Sequence, residues 1–152
     1  MEKSKALAKG MEYCARTEKS KKEVISYLET IGADKDDVDD ILDKLIEEGF
    51  IDEVRYAESF VSDKFRFNSW GKTKIRYQLS AKGISSRVID DALETLDPDE
   101  YYETLKEQLE KKLSSIKGGN YYDKKAKLMR FAAGRGFESD LIYDVIDEIL
   151  RQ

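Results

Sequence analysis

The chain has 152 residues, of which 40% are hydrophobic and 39% are charged, and its formal net charge is −5. No apolar run approaches the roughly 20 residues that cross a bilayer, and the first residues carry no apolar signal segment, so we expect a cytoplasmic protein without membrane contacts. The chain contains no histidine and only one cysteine, which excludes the usual His-based catalytic sites, a zinc cluster and an internal disulfide.

The first predicted helix runs from about Ser4 to Arg16. Its single cysteine, Cys14, follows Met11 and Tyr13 on what looks like an apolar helix face. A free cysteine in such surroundings behaves as a small apolar side chain. We therefore expect a buried thiol rather than a nucleophile.

An internal repeat becomes visible when Gly32, Gly83 and Gly136 are superimposed. Apolar residues then recur without gaps at seven offsets from each glycine, at −8, −4, +1, +6, +9, +10 and +13. The three copies read Val24, Leu28, Ala33, Val38, Ile41, Leu42, Leu45; Ile75, Leu79, Ile84, Ile89, Ala92, Leu93, Leu96; and Leu128, Ala132, Phe137, Ile142, Val145, Ile146, Ile149. These offsets are typical of one helix face on each side of a glycine turn.

Capping residues support this assignment. Ser20 lies before the first repeat helix, and Asp34, Ser85 and Ser139 are placed to cap the helices after the turns, while Asp52 and Asp97 can begin a third helix in two copies. The chain therefore predicts an all-α protein of three tandem three-helix repeats. We place the repeats at residues 1–50, 51–97 and 98–152.

Charge alternates along the chain in blocks. Residues 64–87, called the basic stretch here, carry seven Lys and Arg without one Asp or Glu, and Phe65, Phe67, Trp70 and Tyr77 lie among them. Such a pattern suits a polyanion or an acidic partner. The alternative is that Phe65 and Tyr77 fill the core and that the basic residues are ordinary solvated surface.

We predict that the basic stretch forms the main surface facing a partner or DNA, with Trp70 projecting from the loop between two helices. The residues assigned to this surface are Arg66, Trp70, Lys72, Lys74, Arg76, Lys82 and Arg87.

Two other motifs predict no ligand site. The acidic run from Asp34 to Asp40 lacks the glycine and the twelfth-position acid of a calcium loop, and residues 117–120 are glycine-rich but lack Walker spacing. We expect no metal, no cofactor and no catalytic residue. A hydrolase using paired carboxylates is disfavoured because the acids lie on exposed helix surfaces.

The segments EEGFIDEVRYAESFV and GKTKIRYQLSAKGISSRVIDDAL resemble the RecX family, regulators of the RecA recombinase. The residues that carry the resemblance are Gly49, Phe50, Asp52, Arg55, Tyr56, Ala57, Phe60, Val61, Gly71, Ile75, Leu79, Lys82, Gly83, Ile84, Ala92 and Leu93. Two positions depart from the family pattern: Val54 follows the acids, and Lys72 stands where proline is common. The sequence around Arg16, Ser20 and Val24 is also similar to the family pattern, and the third repeat matches that pattern only loosely.

The resemblance implies a non-enzymatic modulator, usually an inhibitor, that lies in the groove of a RecA filament and takes part in homologous recombination, DNA repair and the SOS response. It also implies that the three repeats form an elongated, curved array. We expect a monomer whose partner is the RecA filament, and weak contact with single-stranded or double-stranded DNA is left open. The basic stretch could meet acidic patches of RecA or the DNA that the filament holds. The alternative function is a DNA-binding protein built from tandem helix-turn-helix units. The low isoelectric point, about 5.0, disfavours it.

Overall fold

The computed structural model describes residues 1–151, and these residues form nine α-helices and one short 3-10 turn, with no strand. In chain order the helices are α1 Lys3–Arg16, α2 Lys21–Thr30, α3 Val38–Glu47, α4 Glu53–Asn68, α5 Lys72–Ala81, α6 Ser86–Leu93, α7 Pro98–Ser115, α8 Tyr121–Gly134 and α9 Ser139–Leu150; the 3-10 turn is Lys35–Asp37, just before α3. The predicted all-α class is confirmed. No helix in this part of the chain is long and apolar enough to span a membrane.

The repeat pattern predicts the helix ends correctly. Gly32, Gly83 and Gly136 follow α2, α5 and α8, and all three have the positive φ that lets a glycine end a helix. Of the 21 apolar repeat positions, 18 are buried, and Ala33, Val38 and Leu96 are partly buried. The sequence register and the observed core therefore agree.

Most of the predicted caps are present. The Ser20 side chain accepts the Glu23 N–H, Asp97 accepts the Glu100 N–H, and Asp34 accepts the Asp36 N–H at the 3-10 turn. The prediction for Ser139 is wrong, because Ser139 is the first residue of α9 and Glu138 occupies the N-cap position without a side-chain cap bond. The Glu138 carboxylate instead accepts a hydrogen bond from the Tyr101 hydroxyl of α7, so it does not cap α9.

Residues 117–120 lie between α7 and α8 and supply the cap of α8. The long helix α7 ends at Ser115, and Asn120 opens α8 through a reciprocal capping box with Asp123. This segment therefore begins a helix as well as following one. The sequence signal was available, since Asn at the cap and an acid three residues later form a variant of the capping-box pattern.

The chain divides into two compact units, one formed by Met1–Ser59 with Leu79–Asp90 and one by Phe60–Gln78 with the chain from Asp91 onward. The boundaries fall inside α4, α5 and α6. The two boundaries between the repeats, at residues 50 and 97, remain a prediction, because the middle repeat contributes residues to both units.

The first unit is built around the packing of α1, α2 and α3. Its fully buried side chains include Val24, Leu28, Ile41 and Leu45. Gly10 brings α1 close to α3, since a Cβ there would lie 3.2 Å from a methyl of Leu45. Cys14 is buried in the same cluster, as predicted, and burial raises the pKa of its thiol. The thiol is thus kept protonated and poorly reactive.

The second unit contains the mutually packed helices α7, α8 and α9 and parts of the middle repeat. Leu105, Leu109, Leu128 and Ile146 are fully buried there. Burying a Leu or Ile side chain contributes about 1.5–3 kcal/mol, so these apolar faces are the main source of the unit's stability.

Candidate partner-binding surface

The predicted surface residues divide between the two units. Those of the second unit are Arg66, Trp70, Lys72, Lys74 and Arg76, and those of the first are Lys82 and Arg87. The five residues of the second unit lie at the end of α4, in the three-residue loop 69–71 and in the first turns of α5.

The start of α5 is held by backbone contacts with the turn between α8 and α9. The Gly71 N–H donates to the Arg135 carbonyl at 2.8 Å, and the Thr73 N–H donates to the Gly136 carbonyl at 2.9 Å. A Cβ at Gly71 would lie 2.4 Å from the Gly136 carbonyl, and one at Gly136 would lie 2.2 Å from the Lys74 Cβ. Two glycines therefore permit a backbone approach that no larger residue allows.

Tyr101 of α7 fixes the same helix start from a second direction. Its hydroxyl accepts the Lys72 N–H at 2.9 Å and donates to the Glu138 carboxylate. Burial, together with the bond to Glu138, raises the pKa of Tyr101 well above its ordinary value. The hydroxyl is therefore a permanent bridge at neutral pH. The ammonium of Lys72 lies 4.9 Å from the centroid of the same ring.

Trp70 lies in the loop between α4 and α5, as predicted, but it is partly buried rather than projecting. Its indole packs edge-on against Phe60, with the ring centroids 6.4 Å apart. The ammonium of Lys64 lies 4.9 Å from the Trp70 ring centroid and that of Lys74 lies 4.6 Å from it. Phe60, Lys64, Trp70 and Lys74 are called the Trp70 cluster below.

The two lysines of the Trp70 cluster form no ion pair with an acidic side chain among the described residues. Among residues 1–151, no carboxylate oxygen lies within the 4.0 Å ion-pair distance of Lys64 or Lys74. Each cation–π contact contributes about 0.5–1 kcal/mol at an exposed site, and it leaves the ammonium's charge in place. The cluster is thus a pair of positioned positive charges on an aromatic base.

Two exposed aromatic residues of the basic stretch were not assigned to the surface by sequence reasoning. Phe67 is 81% exposed and Tyr77 is 72% exposed, although Phe65 is buried. The interpretation that Tyr77 fills the core is therefore wrong. Helical spacing gave the signal, since Tyr77 lies midway between the inward-facing Ile75 and Leu79 and must point elsewhere.

In the first unit, Lys82 is already engaged within the chain. Its ammonium lies 3.3 Å from the Glu23 carboxylate, which also accepts a hydrogen bond from the Tyr56 hydroxyl at 2.8 Å. Lys22 donates to the Ala81 carbonyl at 3.0 Å, at the end of α5. A partner that bound Lys82 would have to compete with this ion pair. Arg87 is exposed at the start of α6.

No group of three or more acidic or Cys side chains within residues 1–151 is arranged to hold a metal ion. The acidic residues Asp36, Asp39 and Asp40 lie exposed around the start of α3, where negative charge is favoured by the helix dipole.

An all-helical protein with charged surfaces is the class of protein that the described residues define. Residues 52–93 match the family model described as RecX, second three-helix domain, and residues 99–146 match RecX, third three-helix domain. The chain therefore belongs to the RecX family, as the resemblance indicated.

Individual relatives agree with the family match. The chain is 37% identical to "Regulatory protein RecX" of Chlorobium phaeobacteroides, over 88% of this chain and 86% of that protein. It is 35% identical to the protein of the same name from Clostridium botulinum strain Eklund 17B, over 89% of this chain but only 64% of that longer protein. The crystal structure of RecX from Lactobacillus salivarius has a TM-score of 0.88 at 27% identity, covering 99% and 97% of the two chains.

Proposed function

We propose that this chain is a non-enzymatic modulator that binds RecA filaments and reduces their activity. The proposal extends the regulatory role given in the names of its relatives. The observation that carries it is the Trp70 cluster, in which Lys64 and Lys74 are held over one indole without an acid to neutralise them.

The chemistry of the Trp70 cluster favours an acidic protein surface. The ring and the Tyr101 bridge hold this region of α5 in place, so less side-chain freedom is lost when a partner binds. Exposed Phe67 adds an aromatic anchor of the type enriched in protein interfaces. Arg66, Lys72 and Arg76 complete the proposed partner-facing set of the second unit. In the first unit, Lys82 and Arg87 are proposed as separate partner-facing residues.

The net charge of −5 supports a protein partner over bare duplex DNA for this surface. Nine acidic residues between Val88 and Glu110 would repel a DNA duplex more strongly than a protein surface, because a duplex carries a much higher density of negative charge. The same reasoning disfavours tandem helix-turn-helix DNA recognition as the main activity.

The proposal is tested by measuring the affinity of the purified protein for RecA filaments assembled on single-stranded DNA with a nucleotide. The variant is Lys64→Glu/Lys74→Glu. We expect at least a tenfold weaker affinity, because two favourable charge contacts become repulsive, and each tenfold is about 1.4 kcal/mol. Binding of the wild type should also weaken with salt.

The matched control is Lys5→Glu/Lys21→Glu, which makes the same change in net charge at two exposed lysines of α1 and α2. It should leave the affinity within about twofold. Equal affinities of the two double variants, with both folded by circular dichroism, would remove the Trp70 cluster from the interface. A wild type that does not bind the filament would overturn the proposed function.

A further inference from the structure

An open cleft in the first unit lies between α2 and the turn that follows α5. Its volume is about 430 Å³, and its lining includes two lysines, Lys22 and Lys82, and one acid, Glu23. We call it the Glu23 cleft. A concave site with an excess of positive charge attracts an anionic group. The lysines therefore favour an acidic ligand, while Glu23 opposes one.

The two lysines of the Glu23 cleft are held in different ways. The Lys22 ammonium donates to the Ala81 carbonyl at 3.0 Å, at the end of α5, where the helix dipole favours a positive charge. The Lys22 stem lies beside the next turn, since a Cβ at Gly83 would lie 3.4 Å from the Lys22 Cε. Lys82 instead forms its ion pair with Glu23, so the positive charge of Lys82 is already matched inside the chain.

Glu23 is held in place independently of Lys82. The carboxylate oxygen Oε1 that lies 3.3 Å from the Lys82 ammonium also accepts a hydrogen bond from the buried Tyr56 hydroxyl at 2.8 Å. Burial, together with this bond, raises the pKa of Tyr56 well above its ordinary value, so the hydroxyl stays a donor at neutral pH. The Glu23 N–H donates to the Ser20 side chain at 3.2 Å. Glu23 can therefore keep its position when Lys82 changes partner.

The ion pair between Lys82 and Glu23 is open to exchange. The two side chains are 32% and 30% exposed, so a partner can reach the pair. Ion pairs in contact with water are weak, because solvent screens them and both side chains lose freedom. A second carboxylate can therefore replace Glu23 at Lys82 at a small cost in free energy, and Tyr56 then satisfies the carboxylate that is left behind.

We propose that the Glu23 cleft receives an acidic side chain of the protein partner and that Glu23 is a built-in competitor for that side chain at Lys82. The inference rests on the proposed function, in which Lys82 faces the partner. In the free protein Glu23 neutralises Lys82, and in the complex the partner's carboxylate takes its place while Lys22 adds a second positive charge. A partner surface without an acid at this point leaves the internal ion pair unbroken. Glu23 therefore contributes to specificity by opposing surfaces that cannot replace it.

The test measures the affinity of the full-length chain for RecA filaments assembled on single-stranded DNA with a nucleotide. Glu23→Gln removes the competing charge and keeps an oxygen that accepts the Tyr56 hydroxyl. The matched control is Glu29→Gln, which makes the same change in net charge at an exposed position of the same helix. We expect Glu23→Gln to bind about twofold to fivefold more tightly than Glu29→Gln, which is the range set by a solvent-exposed ion pair.

A second set of variants tests whether the gain acts through Lys82. Lys82→Met removes the charge and keeps the aliphatic stem, and it should bind at least about twofold more weakly than the wild type. When Glu23→Gln is added to Lys82→Met, the gain should be no larger than the gain from adding Glu29→Gln, because no lysine is left to release. Circular dichroism checks that every variant is folded.

Three results, each obtained with a wild type that binds the filament, would overturn this inference and leave the proposed function intact. Equal affinities of Glu23→Gln and Glu29→Gln would mean that Glu23 does not compete. Equal affinities of Lys82→Met and the wild type would remove Lys82 from the interface. The same gain from Glu23→Gln with and without Lys82 would mean that Glu23 repels the partner directly. A wild type that does not bind the filament would overturn this inference together with the proposed function.

Discussion

The turns at Gly32 and Gly136 occupy equivalent places in the repeat, but their surroundings are packed differently. Both glycines end a helix with positive φ, at +86° and +91°. Around Gly32, a Cβ would meet nothing within 4 Å. At Gly136, a Cβ would lie 2.2 Å from the Lys74 Cβ and 2.7 Å from the Lys74 nitrogen. One turn needs glycine only for its backbone conformation, whereas the other also needs it for packing.

The difference shows how a repeated turn can acquire a second role. In the second unit the turn between α8 and α9 receives the start of α5 through two backbone hydrogen bonds, from Gly71 and Thr73. This contact places Lys74 next to Trp70. The Gly136 turn is therefore linked to the proposed partner surface, and we expect substitutions there to disturb both stability and Trp70.

Gly136→Ala should have the largest effect. The added methyl group cannot avoid the Lys74 backbone, and overpacking costs about 1–3 kcal/mol in addition to about 1–2 kcal/mol for a left-handed alanine. We expect a loss of more than about 2 kcal/mol in urea unfolding. Trp70 is the only tryptophan, so its emission should also shift. An unfolding free energy within about 0.5 kcal/mol of wild type would contradict the close contact.

Tyr101→Phe should have an intermediate effect in the same region. It removes the hydroxyl that bridges the Lys72 N–H and the Glu138 carboxylate, and leaving buried polar groups unpaired costs about 1–3 kcal/mol. Urea unfolding measures the loss. Tyr102→Phe is a neighbouring control, since its hydroxyl contacts Glu148 rather than α5. Equal Trp70 emission shifts in the two variants would argue against a specific link from Tyr101 to α5.

Gly32→Ala should have the smallest effect. Only the left-handed backbone opposes the substitution, and part of its cost of about 1–2 kcal/mol is offset because alanine restricts the unfolded chain. We expect a loss of about 1 kcal/mol without any change in Trp70 emission. A loss equal to that of Gly136→Ala would mean that packing does not distinguish the two turns.

Much of the fold could be predicted because the buried face of a helix places apolar residues at regular intervals in the sequence. The positions of Leu28, Leu79 and Ala132 relative to their glycines specify both the helix face and the turn, and all three are buried. The contact between Gly71 and Gly136 could not be predicted, because it joins backbones 65 positions apart and involves no side-chain pattern. Ser139 shows a related limit, since local capping propensity cannot reveal that α9 begins one residue earlier.

The sequence predicts which residues make up the candidate site better than it predicts their contacts. The run of basic residues without an acid is visible in the sequence, but the ion pair of Lys82 with Glu23 depends on tertiary contacts. Periodicity could have placed Tyr77 outside, whereas the partial burial of Trp70 follows from its packing on Phe60. The assignment of these residues to a partner surface remains a prediction.

The most direct test of the central claim is the DNA-dependent ATP hydrolysis of RecA on single-stranded DNA as this protein is titrated in. The wild type should lower the hydrolysis rate progressively, and Lys5→Glu/Lys21→Glu should do the same at similar concentrations. Lys64→Glu/Lys74→Glu should need at least about tenfold more protein for the same reduction, corresponding to about 1.4 kcal/mol of lost binding. An unchanged rate with the wild type, or identical titrations for both double variants, would contradict the account.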